Sequence, residues 1–374
     1  STLSPSSAAS DVYKRQEKRK SSELLMINLD EISYEPMDIS AVADSVIYIQ
    51  FDNSFILPGF VSLYWADSCF FANTREGVLK YDIKGCFLQK IGGLGDGPKE
   101  YPRYSYRCIM DKSNEVIYIY VYSEQKLLSY SFTGKFIKSV QVELPDDVKI
   151  YFPSFAYMQD DLIYFYYDNN MGKSGKRPYY WLSIKKDGTF VESYKGYKEI
   201  VEKYAGIYGI FYAAMNDSTV VYYDLFEDSI YHVTPHRSYA AYLWGQGNFR
   251  LLENDPFPTP PVERRICTHF FDTKNFFLFQ VTNFNRQPDN VNFFVYYDKK
   301  NGEFAKIQKE ELLFDERINV PLFPRSLIQI DGREYFICQT NTAALLNIPE
   351  AIPWGMDEDD LEGNPVLVLV RLKE

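Results

Sequence analysis

The chain has 374 residues, 46% of them hydrophobic and 17% aromatic, with 51 acidic against 40 basic side chains and a formal charge of −11. That charge repels the phosphates that dominate nucleic-acid affinity, which excludes DNA and RNA as partners. No run of 18 or more apolar residues is present, which excludes a membrane-spanning helix, and 32 Tyr with 28 Phe suit pleated, half-buried strands, so the expected class is all-β.

The first 23 residues, STLSPSSAASDVYKRQEKRKSSE, are polar, Ser-rich and basic. They carry neither an apolar signal core nor strand periodicity and are expected to be disordered. SAASDVYKRQ resembles a translated sequencing adapter joined to a metagenomic reading frame; on that reading the segment is an artefact or a linker, and any export signal is lost with the true start. Residues 24–374 are expected to form a single domain.

From there the chain repeats. Six times an apolar strand enters an Asp-containing turn and leaves as an aromatic strand: LYWADSCFFA, CIMDKSNEVIYIY, YMQDDLIYFYY, AAMNDSTVVYY, HFFDTKNFFLF and LIQIDGREYFI. The turn aspartates Asp67, Asp111, Asp161, Asp217, Asp272 and Asp331 are spaced 44 to 59 residues apart, the length of one four-stranded propeller blade. A second hairpin follows in most units, with Gly85, Gly134, Gly188 and Gly302 where a tight turn demands positive φ. The fourth unit has Thr234 and Pro235 instead, and the sixth has a long loop, 341–364, before VLVLVRL.

Two hairpins per unit predict an all-β, six-bladed β-propeller of four-stranded antiparallel blades. The last blade has three clear strands of its own, so an N-terminal strand, LLMINLD at 24–30, is expected to close it. Strands such as VIYIYVY are apolar on both faces, as blades sandwiched between neighbours require. The aromatics are therefore read as core in preference to a sugar-stacking platform.

The stretch VLKYDIKGCFLQKIGGLGDGPKEYPR, 78–103, and the terminal NPVLVLVRLK, 364–373, resemble a family of six-bladed β-propeller proteins of Bacteroides-type bacteria, of unknown function and TolB- or NHL-like. The resemblance makes Gly95, Gly97, Pro98, Glu100 and Tyr101 a structural motif, the Gly-rich end of the first blade. Lys99 stands where members often read Gly, which argues against a role needing bare backbone there. The resemblance further implies an extracytoplasmic place, in the periplasm or at the outer membrane, with a lipid anchor ahead of the present start.

Chemistry is sparse. GGLGDGPKE places Gly92 and Gly97 as in a phosphate loop, but Pro98 stands where the lysine must be, so the loop is read as a blade connector. His232 and His236 flank Pro235, which forbids a helical metal pair. The acidic run Asp357, Glu358, Asp359, Asp360 with Glu362 lacks the calcium-loop spacing. Five widely spaced cysteines suggest no zinc site and are read as small hydrophobes. No catalytic residue, metal site or cofactor is predicted.

One constellation stands out: Arg103, Arg265 and Arg325 each precede a first strand of a blade, in YPRY, ERRI and FPRS. If those strand starts share one channel mouth, three guanidinium forks could form an anion site. The expected function is a non-catalytic, monomeric propeller binding a protein partner or a glycan-derived ligand at its central funnel. The alternatives are a calcium-dependent lactonase-like enzyme and a structural spacer in a surface assembly.

Overall fold

The structure is a computed structural model and describes residues 24–57, 62–66, 68–146, 153–167, 181–194, 211–216, 219–234, 237–245, 249–252, 254–256, 260–283, 291–347 and 363–374. Six four-stranded antiparallel sheets carry nearly all its regular structure, and the chain has the predicted six-bladed β-propeller fold. It falls into two compact units, Pro36–Ile210 with Lys309–Glu374, and Ser1–Glu35 with Phe211–Gln308.

The larger unit holds four blades. Blade 1 is Ser62–Ala66, Cys69–Thr74, Gly77–Asp82 and Phe87–Ile91. Blade 2 is Tyr106–Asp111, Val116–Val121, Lys126–Ser131 and Phe136–Gln141, and blade 3 is Phe155–Gln159, Leu162–Tyr166, Trp181–Lys185 and Phe190–Tyr194. Blade 6 pairs Pro324–Ile330, Arg333–Thr340 and Val366–Leu372 with Ala43–Gln50.

Strand faces are buried on both sides, five of six residues in Val116–Val121, as strands packed between neighbouring sheets of this unit require. One core cluster joins blades 1 and 2 through Phe71, Val78, Ile91, Cys108 and Ile119. A second joins blades 6 and 1 through Phe51, Phe70, Tyr81, Ile337 and Leu367. Aromatic edges meet faces within it, as at Phe51 and Tyr81, 4.9 Å apart and inclined at 78°, a geometry favoured by the ring quadrupoles.

The smaller unit holds blades 4 and 5. Blade 4 is Phe211–Asn216, Thr219–Asp224, Ser229–Thr234 and Arg237–Trp244; blade 5 is Arg265–Asp272, Phe276–Asn283, Asn292–Asp298 and Phe304–Gln308. Blade 4 also carries a fifth strand, Leu25–Ile27, added in parallel to Arg237–Trp244 with Leu25, Met26 and Ile27 opposite Tyr242, Leu243 and Trp244.

Closure of blade 6 corrects one expectation. The closing strand is N-terminal as predicted, but it is Ala43–Gln50, whose Val46, Ile47, Tyr48 and Ile49 lie opposite Val370, Leu369, Val368 and Leu367. The segment 24–30 is too short a strand for that task. Asn28 interrupts it, its side chain accepting from Asp30 N at 3.3 Å to start a 3-10 turn, Leu29–Glu31, as an amide side chain does at a helix start.

The predicted turn glycines all have positive φ: Gly85 at 90°, Gly134 at 75°, Gly188 at 90° and Gly302 at 78°. Three also mark close approaches between blades, Gly134 the loosest, where a Cβ would stand 3.0 Å from Lys90 O. A Cβ on Gly85 would stand 1.9 Å from Gln50 O, and one on Gly188 would stand 2.2 Å from Gln141 O. The same two loops exchange backbone bonds, Asp52 N to Gly85 O and Glu143 N to Gly188 O, each 2.9 Å. Of the turn aspartates, Asp111 accepts from Asn114 N at 3.1 Å, whereas Asp67 and Asp217 lie outside the described residues, as do Pro235, His236 and the acidic run at 357–362. No described helix is long and apolar enough to cross a membrane.

Candidate functional site

The connector between blades 1 and 2 is built on its own backbone. Gly93–Leu94 pairs in parallel with Glu100–Tyr101, and Tyr101, 1% exposed, pins the loop: its hydroxyl donates to Ile91 O at 2.7 Å and accepts from Val78 N at 3.0 Å. Gly92 lets the Tyr130 ring come where a Cβ would be 2.7 Å away, and the Tyr130 hydroxyl donates to Lys99 O at 2.6 Å.

Glu100 folds back over the glycines. Its Oε2 accepts from Gly97 N at 3.0 Å and would lie 2.2 Å and 2.9 Å from a Cβ on Gly95 and Gly97. The concavity that resembles a phosphate cradle in sequence is thus filled by the loop's own carboxylate. Pro98 adds no donor to it.

From this anchored connector the chain turns at 102–105 into the first strand of blade 2. Tyr104 is 62% exposed, and the Arg103 side chain is 55% exposed with Nη2 only within 3.9 Å of Glu76 Oε1, a separation that binds an exposed pair weakly. Ser105 has φ of 74°, a left-handed conformation that costs a non-glycine residue free energy unless its surroundings hold it. They do: Ser105 O accepts from Tyr122 N at 3.1 Å. Beyond it, the Tyr106 hydroxyl donates to Asn73 Oδ1 at 2.5 Å. Arg107 donates from Nε to Ser154 O at 3.1 Å and lies over the Tyr122 ring at 5.6 Å. A cation and an aromatic face are therefore displayed on a fixed turn.

The other two predicted arginines have different surroundings. Arg265 Nη1 donates to Val262 O and, at 3.2 Å, to Arg264 O, and burial pulls its pKa down. Arg325 is largely exposed at the start of its strand, and the partial desolvation of its guanidinium lowers its pKa. Arg103 and Arg325 belong to the larger unit and Arg265 to the smaller one.

Two polar clusters escaped the sequence reading. In the smaller unit, His232 Nε2 lies 3.0 Å from Asp272 Oδ2 and its Nδ1 3.2 Å from the Tyr239 hydroxyl, while Lys299 Nζ donates to Asp272 Oδ1 at 2.6 Å. Burial pushes the Asp272 carboxyl up, but the bond and charge of His232, with Lys299, outweigh it and hold the pKa below the usual range. The sequence marked Asp272 as a turn residue; it is the last residue of its strand, with its carboxylate turned toward the neighbouring blade. In the larger unit, buried Asp315 accepts from Arg317 Nε at 3.0 Å, from Nη2 at 2.8 Å and from the Tyr48 hydroxyl. That cluster ties the small hairpin Phe314–Asp315 and Val320–Pro321 to the closing strand.

All five cysteines are free thiols, four of them buried, and burial pushes Cys108 up to about 12, far from the thiolate that reactivity requires. Among the described residues, no three or more His, Cys, Asp or Glu side chains are grouped to hold a metal ion.

Residues 24–371 match the profile of DUF4934, described as a domain of unknown function. No curated protein matches the sequence. Among solved structures, the chain is similar to a Bacteroides fragilis protein with an exported-protein name, at 14% identity and a TM-score of 0.62 over 94% of this chain and 100% of that one. It is also similar to a member of the DUF4221 family from Bacteroides vulgatus, at 15% identity and a TM-score of 0.51 over 89% and 97%. Identities this low carry the fold alone.

Proposed function

We propose that this chain, which belongs to the DUF4934 family, is a non-catalytic binding module that acts outside the cytoplasm and takes an acidic glycan-derived ligand at the turn 102–105. The observation that carries the reading is the pairing of exposed Arg103 and Tyr104 on a turn anchored from both sides, by Tyr101 and by the Ser105 carbonyl. A sugar ring stacks on an aromatic face, and a guanidinium fork suits its carboxylate. Holding both groups in place beforehand removes much of the ordering cost of binding. The exported-protein name of the Bacteroides fragilis relative supports the location.

The test is thermal melting of the chain with galacturonic acid oligomers, N-acetylneuraminic acid, maltotriose and calcium, since a ligand that binds only the folded state raises the midpoint. A rise of a few degrees is expected with the acidic sugars, abolished by Arg103→Ala with Tyr104→Ala. A rise with calcium alone would favour a lactonase-type enzyme instead, and an acidic-sugar rise that survives the double substitution would place the site elsewhere.

A further inference from the structure

Two guanidinium groups belong to the start of blade 2, and they are held in different ways. Arg103 is presented on the turn 102–105, loosely paired with Glu76 as described above. Arg107 lies four residues on, half-buried, in the first strand of the blade. Its guanidinium is fixed from three directions: Nε donates to Ser154 O at 3.1 Å, Nη1 donates to Tyr106 O at 3.0 Å, and Cζ lies 5.6 Å from the centre of the Tyr122 ring. None of these contacts uses the donors of Nη2.

Strand register relates the two groups. Tyr106 and Arg107 lie opposite Val121 and Tyr120, and the ladder runs one step further in the bond from Tyr122 N to Ser105 O. Opposite residues share a face, and diagonal ones lie within reach of a long side chain, so Arg107 meets Tyr122 on the face toward blade 3, where Ser154 precedes the first strand. Arg103 instead leans toward Glu76 in the blade 1 turn, and the Tyr106 hydroxyl reaches Asn73 of the same blade. One guanidinium therefore stands on each side of Ser105. Four residues span at most about 13 Å.

The surrounding charge favours an anion. Residues 101–110 contain Arg103 and Arg107 and no acid, and exposed Arg75 adds a third cation in the blade 1 turn. Two acids belong to the neighbouring turns. Glu124 is already neutralised, its Oε2 2.8 Å from Lys126 Nζ. Glu76 remains, but its pairing with Arg103 is exposed on both sides and long, so an incoming carboxylate displaces it at little cost.

The geometry points to two carboxylate subsites on this surface, Arg103 beside Tyr104 and the free edge of Arg107, and so to a linear polyuronate as the ligand; this deepens the acidic-sugar reading above and rests on it. A single sugar acid carries one carboxylate and engages one guanidinium at a time. A chain with a carboxylate on every ring engages both, and its second contact is intramolecular. Arg107 is suited to that second contact because two carbonyls and the Tyr122 ring already orient its fork, which leaves little freedom to lose on binding. The bond between Tyr122 and Ser105 fixes the spacing of the two subsites.

The probes are galacturonic acid and its linear trimer, titrated calorimetrically into the full chain, and the readout is the ratio of their two affinities, which a general loss of folded protein does not move. The trimer is expected to bind at least about tenfold more tightly than the monomer. Arg107→Gln should reduce the ratio to about threefold, the statistical advantage of three rings, and Arg107→Lys, which keeps the charge without the fork, should give an intermediate value. Equal affinities in the parent would overturn the second subsite and leave the turn 102–105 as a site for one sugar acid. A ratio that survives Arg107→Gln would overturn the assignment to Arg107. Binding of neither probe, or of maltotriose as tightly as the trimer, would overturn this inference together with the acidic-sugar reading.

Discussion

At the residue scale, the glycines separate two physical demands. Gly188 needs both its positive φ and the space in front of Gln141 O, whereas Gly302 needs only the φ, with nothing within 4 Å of its Cβ position. Gly188→Ala is therefore expected to cost roughly 2–4 kcal/mol and Gly302→Ala about 1 kcal/mol, compared by urea unfolding. Asp315 offers a pH handle: burial raises its carboxyl, but Arg317 first and Tyr48 next outweigh that and hold its pKa below 3.8. A depressed carboxylate stabilises fully above the unfolded-chain value and loses its contribution as the pH falls through the folded one. Asp315→Asn should accordingly cost about 1–2 kcal/mol at neutral pH, discounted for the half-exposed Arg317, and the gap to the parent should shrink below about pH 4.

At the scale of elements, the closing strand is the plainest dependency. Ile49, 5% exposed, belongs to the core between blades 6 and 1, so Ile49→Ala should cost about 2–4 kcal/mol, whereas Met26→Ala, at a 56% exposed position of the added strand, should change stability by less than about 0.5 kcal/mol. Thermal unfolding of the two variants reads the contrast directly. The hairpins were legible in sequence because Asp and Gly turns punctuate two-sided apolar strands. The assignment of the closing strand was not, because 24–30 and 43–50 are both apolar runs. Only the Asn28 turn and the match of Ala43–Gln50 to Val366–Leu372 distinguish them.

At the scale of the whole molecule, the Gly-rich connector was recognisable as structure, yet its meaning rests on Glu100 folding over Gly95 and Gly97, a contact no spacing predicts. The same holds for function. Arg103 was visible as a candidate from its place before a strand, but Tyr104 acquires interest only because Ser105 and Tyr101 fix the turn that displays it. The polar clusters at Asp272 and Asp315 join residues 40 and 267 positions apart, His232 with Asp272 and Tyr48 with Asp315, and could not be read locally. Amide hydrogen exchange of the full chain with and without saturating galacturonic acid oligomers decides whether the turn 102–105 holds the ligand. The expected result is slowed exchange concentrated at 103–107 and at Tyr122; a bound sugar that leaves those amides unchanged would contradict a site at this turn.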